Sequence, residues 1–358
     1  MESESIFEME LKYFSTFSGI GGFELGIQQA YVEITNRKKN GGGKENTESN
    51  AQKGKGLVAK KGKATPAQRR WNGELPNWSD DPRTPHCVGY SEIDKYAVQI
   101  YQKHFPEHKN YGDIKTINAS ELPNFDLLVG GFPCQSFSIA GKRKGFEDTR
   151  GTLFFELARI LQAKQPGLFI FENVKGLLSH DNGQTFKTII ATLVELGYCV
   201  EWQVLNSKNH GVPQNRERVF IVGHLGGTPQ PKVFPIGEDE KLYNGKIESI
   251  KRQSQTEIAG TVRRNPGKAD DTYITSVSPM EYKWGKTCGA LRARDYKDPK
   301  AVADGTQIRR LTPTECERLQ GFPDGWTEGI SDSQRYKCLG NAVTVNVVSE
   351  IIKNILYE

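Results

Sequence analysis

The chain has 358 residues, 36% of them hydrophobic, which is enough for one large domain and a smaller one with a sizeable core. No stretch approaches the roughly 20 apolar residues that span a bilayer, and the acidic N-terminus is unlike a secretory signal. Six scattered cysteines form no CxxC pair and no Cys/His cluster at metal spacing. We therefore expect a cytoplasmic protein with reduced thiols, no bound metal and no membrane contact.

The net charge of +5 is concentrated in one tract. Residues 36–70 carry eleven Lys and Arg against two acids, which leaves 37 bases and 41 acids in the rest of the chain. Nucleic-acid binding therefore cannot be argued from net charge alone.

The predicted elements alternate between strands and helices along the chain. A buried strand at 11–17 leads through a glycine turn at 18–22 into a helix at 23–34. Residues 36–85 are rich in Gly, Lys and Asn, and we expect a mobile surface insertion there. Strands then follow at 87–91, 126–130, 168–171, 198–205 and 219–222, with helices at 95–105, 153–163 and 186–196. This order predicts an α/β fold with a doubly wound, mostly parallel sheet.

The pattern changes between residues 226 and 307, where short polar segments show no clear helix. Helices are again predicted at 312–319, with Thr312 as N-cap and Pro313 at the first position, and at 343–355. We therefore divide the chain into a large domain at 1–225, a smaller irregular domain with a hinge at 226–332, and a C-terminal segment at 333–358 that returns to the large domain.

The turn after the first strand has the features of a cofactor site. Its glycines let a ligand approach backbone N–H groups at a helix N-terminus. It is not a GxGxxG motif, because Glu24 stands at the third glycine position counted from Gly19, which disfavours a nicotinamide dehydrogenase. Glu92 and Asp113 follow later elements, where such folds place acids against a ribose. Each acid alone is more often a surface residue or a cap, but their joint placement favours a cofactor crevice.

Five motifs in order resemble those of the cytosine-C5 DNA methyltransferases. They are Phe-Ser-Gly-Ile-Gly-Gly from Phe17, Gly-Phe-Pro-Cys-Gln-Ser from Gly131, Phe-Glu-Asn-Val from Phe171, Gln-Asn-Arg-Glu-Arg from Gln214 and Gly-Asn-Ala-Val from Gly340. The match leaves out only residues 36–85 and most of 226–305. The resemblance implies a Rossmann-like, S-adenosylmethionine-dependent fold, and methyl transfer to C5 of a cytosine flipped out of duplex DNA.

The chemistry of this reaction explains the residue types. Carbon 5 of cytosine is a poor nucleophile. A thiolate that adds at C6 turns the ring into an enamine-like nucleophile that reacts at C5. An isolated cysteine is usually inert, but the Gly-Phe-Pro-Cys-Gln loop makes Cys134 the predicted nucleophile. Glu172 closes an apolar strand and is the candidate to give or share a proton at N3, although a helix-capping acid is the alternative.

Arg216 and Arg218 alternate along a strand edge and are predicted to share a face. The resemblance implies that Arg216 contacts cytosine O2 and that Arg218 supports the loop electrostatically. Surface ion pairs are the more common fate of such arginines. No side chain stands out as the base that removes the C5 proton, so we expect a water there.

The resemblance also assigns the cofactor pocket. Its residues are Phe17, Gly19, Gly21, Glu92, Ile93, Asp113, Ile114, Pro133, Leu153, Asn341 and Val343. The chain departs from the family at two positions, one just before this pocket and one within it. Ser15 stands where the family usually has an acid, and Ile93 stands where an aromatic often packs on the adenine.

Contacts with double-stranded DNA are expected from the loop at 131–151 and from the smaller domain, which becomes a target-recognition domain by the resemblance. The candidates are Gln135, Ser138, Lys142, Arg143, Arg263, Arg264, Arg292 and Arg294. For any one of these lysines and arginines, a solvated surface charge is the more common role. The family's Thr-Leu pair aligns with Ala290-Leu291 or with Thr261-Val262, so the recognised sequence is not readable.

The alternatives belong to other classes of protein. A tRNA cytosine methyltransferase on the same fold usually has Pro-Pro-Cys-Gln and Cys-Phe-Thr elements, and this chain has neither. A non-catalytic DNA-binding relative is expected to lack Cys134, Glu172 or Arg216, and all three are present. We expect a monomer that belongs to a bacterial restriction–modification system, with a cognate endonuclease as a possible partner. We expect it in the cytoplasm, associated with the nucleoid when it is bound to DNA.

Overall fold

The computed structural model describes residues 10–40, 84–133, 153–226, 233–236, 273–278, 281–285, 287–297, 300–304 and 307–356. Within these ranges no helix is both long and apolar enough to cross a bilayer. The same ranges contain no group of three His, Cys, Asp or Glu side chains arranged to hold a metal ion.

The helices of the described ranges follow the predicted order with one addition. They are α1 (Gly22–Asn40), α2 (Lys95–His104), α3 (Leu153–Lys164), α4 (Gln184–Glu195), α5 (Pro313–Leu319), α6 (Asp332–Asn341) and α7 (Val345–Leu356). Thr312 caps α5 as predicted, since its hydroxyl accepts from the Glu315 N–H at 3.2 Å and the Glu315 carboxylate accepts from the Thr312 N–H at 2.7 Å.

The strands form a large sheet and two smaller ones. The large sheet contains β1 (Lys12–Thr16), β2 (His86–Ser91), β3 (Leu127–Gly131), β4 (Leu168–Val174), β5 (Tyr198–Asn206) and β7 (Glu217–Leu225), and the others are β6 (Gln214–Asn215), β8 (Tyr273–Ser278), β9 (Glu281–Gly285), β10 (Cys288–Gly289), β11 (Ala301–Asp304) and β12 (Gln307–Arg310). The order in the large sheet is β2-β1-β3-β4-β7-β5. β1 to β4 pair in parallel, and β7 lies antiparallel between β4 and β5. The predicted doubly wound, mostly parallel fold is thus confirmed.

Helices cover both faces of this sheet because successive strand residues point to opposite sides. On one face Tyr13 and Val129 share a core with Phe23 of α1 and Ile351 of α7. On the other face Phe14, Leu128 and Phe169 pack against α3 and α4. The sheet is therefore buried on both sides, as parallel sheets require.

A third core joins α2 to the C-terminal part of the chain. Tyr101 of α2 and Phe105, which follows α2, pack in it with Leu319, Trp326 and Leu339. The strands β12-β11-β8-β9 form a separate antiparallel sheet, and β10 pairs in parallel with β6. The predicted domain limits at 226–332 and 333–358 stay a prediction, and from Leu311 onward the chain shares a core with α2.

Two predicted details of secondary structure are corrected. The insertion was placed from residue 36, but α1 continues to Asn40, because its last residues include Arg and Lys, which extend a helix at little cost. Residues 41–83 of that tract lie outside the described residues. Helix α6 was not predicted, since its sequence is mostly polar and buries only Cys338, Leu339 and Gly340 at its end.

A fully buried carboxyl group lies in the first turn of α1. Glu24 Oε1 accepts from the Tyr101 hydroxyl at 3.0 Å, and Oε2 has no hydrogen-bond partner among the described residues. Tyr13, Cys87 and Tyr90 are further titratable side chains close to it. Burial raises the pKa of Glu24 to about 7, because the anion loses its hydration in the core.

We expect replacement of Glu24 by glutamine to remove a pH dependence of stability. The folded chain holds this proton up to about pH 7, whereas the unfolded chain releases it above about 4.5, so the free energy of unfolding falls as pH rises between these values. The loss is on the order of 3 kcal/mol at pH 8. Urea unfolding of the wild type, E24Q and the exposed control E107Q at pH 5 and pH 8 measures it. An equal pH dependence in E24Q and the wild type would contradict the assignment.

Candidate active site

A cleft of about 330 Å³ opens beyond the carboxyl ends of the parallel strands. Phe17 and Gly19 line it from the turn after β1, and Glu92 lines it from the end of β2. Pro133 follows β3, and Glu172 lies near the end of β4. The volume falls within the range of small-molecule sites, and the position is the one where open α/β sheets bind ligands.

The glycine turn is held in an unusual backbone conformation. Phe17, Gly19 and Gly21 have φ of 51°, 55° and 86°, in the left-handed region. A Cβ at Gly19 would meet nothing within 4 Å, whereas one at Gly21 would lie 2.5 Å from the Phe105 ring. Gly19 thus leaves room for a ligand, and Gly21 allows close packing against α2.

Glu92 is fixed by three backbone donors. Its Oε2 accepts from Gly19 N–H at 2.9 Å, and its Oε1 accepts from the N–H groups of Ile93 and Asp94 at 2.7 and 2.8 Å. Oε2 keeps a free lone pair beside the cleft, which is suited to a hydroxyl donor. The side chain of Ile93 is 72% exposed next to it. A carboxylate acceptor beside an exposed apolar side chain fits the ribose and base of a nucleoside cofactor.

On the opposite side of the cleft Glu172 and Arg218 form an ion pair. Glu172 Oε1 lies 2.9 Å from Arg218 Nε, and both side chains are largely buried. A Cβ at Gly131 would lie 3.1 Å from Glu172 Oε2, so this glycine leaves space for the carboxylate. Asn173 Nδ2 donates to the Phe132 carbonyl at 2.8 Å. The end of β4 therefore fixes the point at which the chain leaves β3 toward residue 134.

Arg216 also lines the cleft, but its guanidinium is buried. Its Nη1 and Nη2 atoms donate to the carbonyls of Leu291, Gly340 and Ala342. Burial, together with the neighbouring Arg218 cation, lowers the pKa of Arg216 to about 9. A buried cation held by carbonyl oxygens binds main chain strongly, because each hydrogen bond is charge-assisted.

The structure brings together many, but not all, of the predicted site residues. Those that line the cleft are Phe17, Gly19, Glu92, Pro133, Glu172, Arg216, Arg218 and Asn341. Ile114 and Val343 are buried in the cores, Asp113 caps a short helical turn, and Leu153 begins α3. The cofactor assignments of these four, of Gly21 and of Ile93 stay predictions.

Other predicted residues lie outside the described part of the chain. They are Cys134, Gln135, Ser138, Lys142, Arg143, Arg263 and Arg264. Arg292 is exposed, and Arg294 lines a second cleft with Lys337. The DNA contacts predicted for these two arginines stay predictions.

Sequence reasoning missed several residues of the cleft, and Asp94 shows why. Its carboxylate accepts from the N–H groups of Tyr96 and Ala97, so it caps α2, and it pairs with Lys337 at 2.7 Å. The capping role is readable from an Asp just before a helix. The pairing with Lys337 joins residues 243 positions apart, and no local pattern predicts it.

The fold and the cleft together define an α/β enzyme with a nucleoside-cofactor crevice beside a carboxylate–arginine pair. Residues 83–357 match the family model described as C-5 cytosine-specific DNA methylase. The chain therefore belongs to the C-5 cytosine-specific DNA methylase family. It is a DNA cytosine-C5 methyltransferase, with S-adenosylmethionine as methyl donor.

Two similar proteins are consistent with this assignment, and one solved structure shares the fold. The type II methyltransferase M.NlaX of Neisseria lactamica is 40% identical over 289 residues, covering 76% of this chain and 88% of its own. M.HaeII of Haemophilus aegyptius is 43% identical over 274 residues, covering 73% and 83%. A DNMT2 mutant of Spodoptera frugiperda superimposes with a TM-score of 0.59 at 19% identity, over 98% of this chain and 100% of that chain, which shows the fold.

Proposed function

We propose that the chain methylates C5 of one cytosine in a specific duplex sequence through a covalent bond between Cys134 and C6. The observation that supports this most is the Glu172–Arg218 pair, which shares a cleft with Pro133, the residue before Cys134. The carboxylate, Pro133 just before the predicted nucleophile, and the glycine turn thus lie at one end of the sheet, which supports a site that brings a nucleophile, a proton donor and a cofactor together.

The residues have distinct roles in the proposed reaction. The Cys134 thiolate adds to C6 of the flipped base, and a proton from Glu172, or a hydrogen bond, balances the charge that develops at N3. C5 then accepts the methyl group, loses its proton to water, and the ring expels the thiolate by β-elimination. S-adenosylmethionine, when bound, supplies an electrophilic methyl on a sulfonium. Arg218 orients the Glu172 carboxyl through their 2.9 Å contact.

The binding roles remain part of the proposal. Phe17, Gly19, Glu92, Pro133 and Asn341 face the cleft and are assigned to the cofactor. Residues 226–332 are assigned to target recognition, with Arg292 and Arg294 toward DNA. The loop from residue 134 is assigned to closure over the flipped base.

The cellular setting is inferred from the relatives. Both relatives named above are type II methyltransferases, the class of enzyme that accompanies a restriction endonuclease. We infer that the chain protects DNA against an endonuclease acting at the same sequence, and that it works as a monomer. Its substrate places it in the bacterial cytoplasm, on the nucleoid.

The test uses the purified chain with labelled S-adenosylmethionine and, in parallel, plasmid DNA or total tRNA. The expected result is label in DNA alone, and bisulfite sequencing then shows methylcytosine at one recurring sequence. Label in tRNA would favour the RNA alternative. No label in either nucleic acid would point to a non-catalytic relative and contradict the proposal.

A further inference from the structure

The guanidinium of Arg216 has almost no hydrogen-bonding capacity left for a substrate. Nη1 donates to Leu291 O at 2.7 Å and to Gly340 O at 3.3 Å. Nη2 donates to Gly340 O at 3.3 Å and to Ala342 O at 2.8 Å. An arginine has five N–H donors, and these four bonds use every hydrogen on the two terminal nitrogens. Nε–H alone has no partner among the described residues.

The three carbonyls come from two separate segments that meet at this point. Leu291 belongs to a segment, residues 288–295, that lies in the predicted recognition region, and Gly340 and Ala342 flank Asn341, which lines the cofactor side of the cleft. A Cβ at Gly340 would lie 2.1 Å from the carbonyl carbon of Arg292. The two segments therefore touch through main chain, and Arg216 spans their junction.

Gln214 holds the Leu291 side of this junction from a position away from the cleft. Its Oε1 accepts from Leu291 N–H at 2.9 Å, and its Nε2 donates to Leu319 O at 2.7 Å. β6, which contains Gln214, also pairs in parallel with β10, just before Leu291. Gln214 is fully buried, so the loss of either bond would leave a buried polar group without a partner and destabilise the fold.

We propose that Arg216 is a positioning residue that fastens the segment at 291–293 to the turn at 340–342, and so shapes the cofactor site before DNA binds. The inference rests on the proposed function, which assigns the cofactor to this cleft. This role differs from a contact with cytosine O2, because it makes Arg216 necessary for cofactor binding even when no cytosine is present. The planar guanidinium suits the task, since the ammonium of lysine cannot reach three carbonyls in one plane.

The test is the affinity for S-adenosylmethionine without DNA, measured by calorimetry on R216K, R318K and Q214M. We expect R216K to bind the cofactor at least about tenfold more weakly than the wild type, since several charge-assisted bonds are lost. R318K is the control, since Arg318 pairs with Asp324 at the surface and does not line the cleft, and its cofactor affinity is expected to stay within about twofold. Q214M is expected to weaken binding in the same direction as R216K, although Gln214 does not line the cleft.

Thermal unfolding of each variant identifies a general loss of structure. If R216K does not fold, the cofactor affinity of Q214M is the deciding measurement, because Gln214 bonds to Leu291 of the same segment. Wild-type cofactor affinity in folded R216K, or in Q214M where R216K does not fold, would overturn the proposal. Because binding is measured without methyl transfer, failure of the proposed reaction would leave this readout intact.

Discussion

Replacement of Cys134 by alanine is expected to abolish methyl transfer to duplex DNA, with a loss of roughly 10⁴-fold or more. Without a thiolate at C6 the ring remains aromatic, and its C5 carbon stays too weak a nucleophile. Cofactor binding is expected to change by less than about twofold, since the cofactor contacts proposed for the glycine turn and Glu92 involve other residues. Single-turnover methylation and calorimetric titration with S-adenosylmethionine separate the two effects.

The matched control is C199A, because Cys199 is exposed on the edge strand β5. It is expected to methylate at the wild-type rate. Wild-type turnover by C134A would exclude a covalent mechanism through this residue. A loss in C199A equal to that in C134A would show that the defect is not specific to the nucleophile.

The second large effect is expected for Glu172→Gln, with single-turnover methylation slowed roughly 10²- to 10⁴-fold. Glutamine keeps the shape of the side chain and can still donate a hydrogen bond, but it cannot transfer a proton to N3. It also replaces a carboxyl group that lies 2.9 Å from Arg218 Nε with an amide. DNA affinity is expected to change much less than the rate, because the proton matters most in the transition state.

The control for this variant is E217Q, which lies at the start of β7 and pairs with Lys175 at the surface. Exposed pairs contribute little, so its rate is expected to match the wild type. An unchanged single-turnover rate in E172Q would remove Glu172 from the chemistry and return it to the role of a structural ion-pair partner of Arg218.

The fold and the site were predictable to different degrees. Strands with continuous apolar runs and helices with local caps, such as Thr312 before α5, follow from short-range patterns, and these predictions were confirmed. The acid at the end of β2 was placed at the crevice from its position after the strand, and the structure brings Glu92 to Gly19 there. Local physics suffices for such features, because a strand end fixes where its next residues point.

Buried polar contacts between distant segments were not predictable. Arg216 looked like one of two arginines on a strand edge, but its burial depends on carbonyls 75 to 126 positions away. In the sequence, Glu24 stood out only because it replaces the third glycine of a GxGxxG motif. Its buried hydrogen bond depends on Tyr101 of another helix. The positive φ of Phe17 likewise has no signal in its residue type. These features arise from tertiary packing, which a single sequence does not display.

The central claim, a bond between Cys134 and C6 of a flipped cytosine, is tested most directly by trapping. Duplex DNA with 5-fluorocytosine at the target, once found by bisulfite sequencing, cannot lose a proton from C5, so the β-elimination stops and the adduct persists. We expect a covalent protein–DNA complex that needs S-adenosylmethionine, and mass spectrometry should identify the peptide bearing Cys134 as the modified one. A complex through another cysteine, or efficient methylation of ordinary DNA with no trapped complex on the fluorinated duplex, would contradict it.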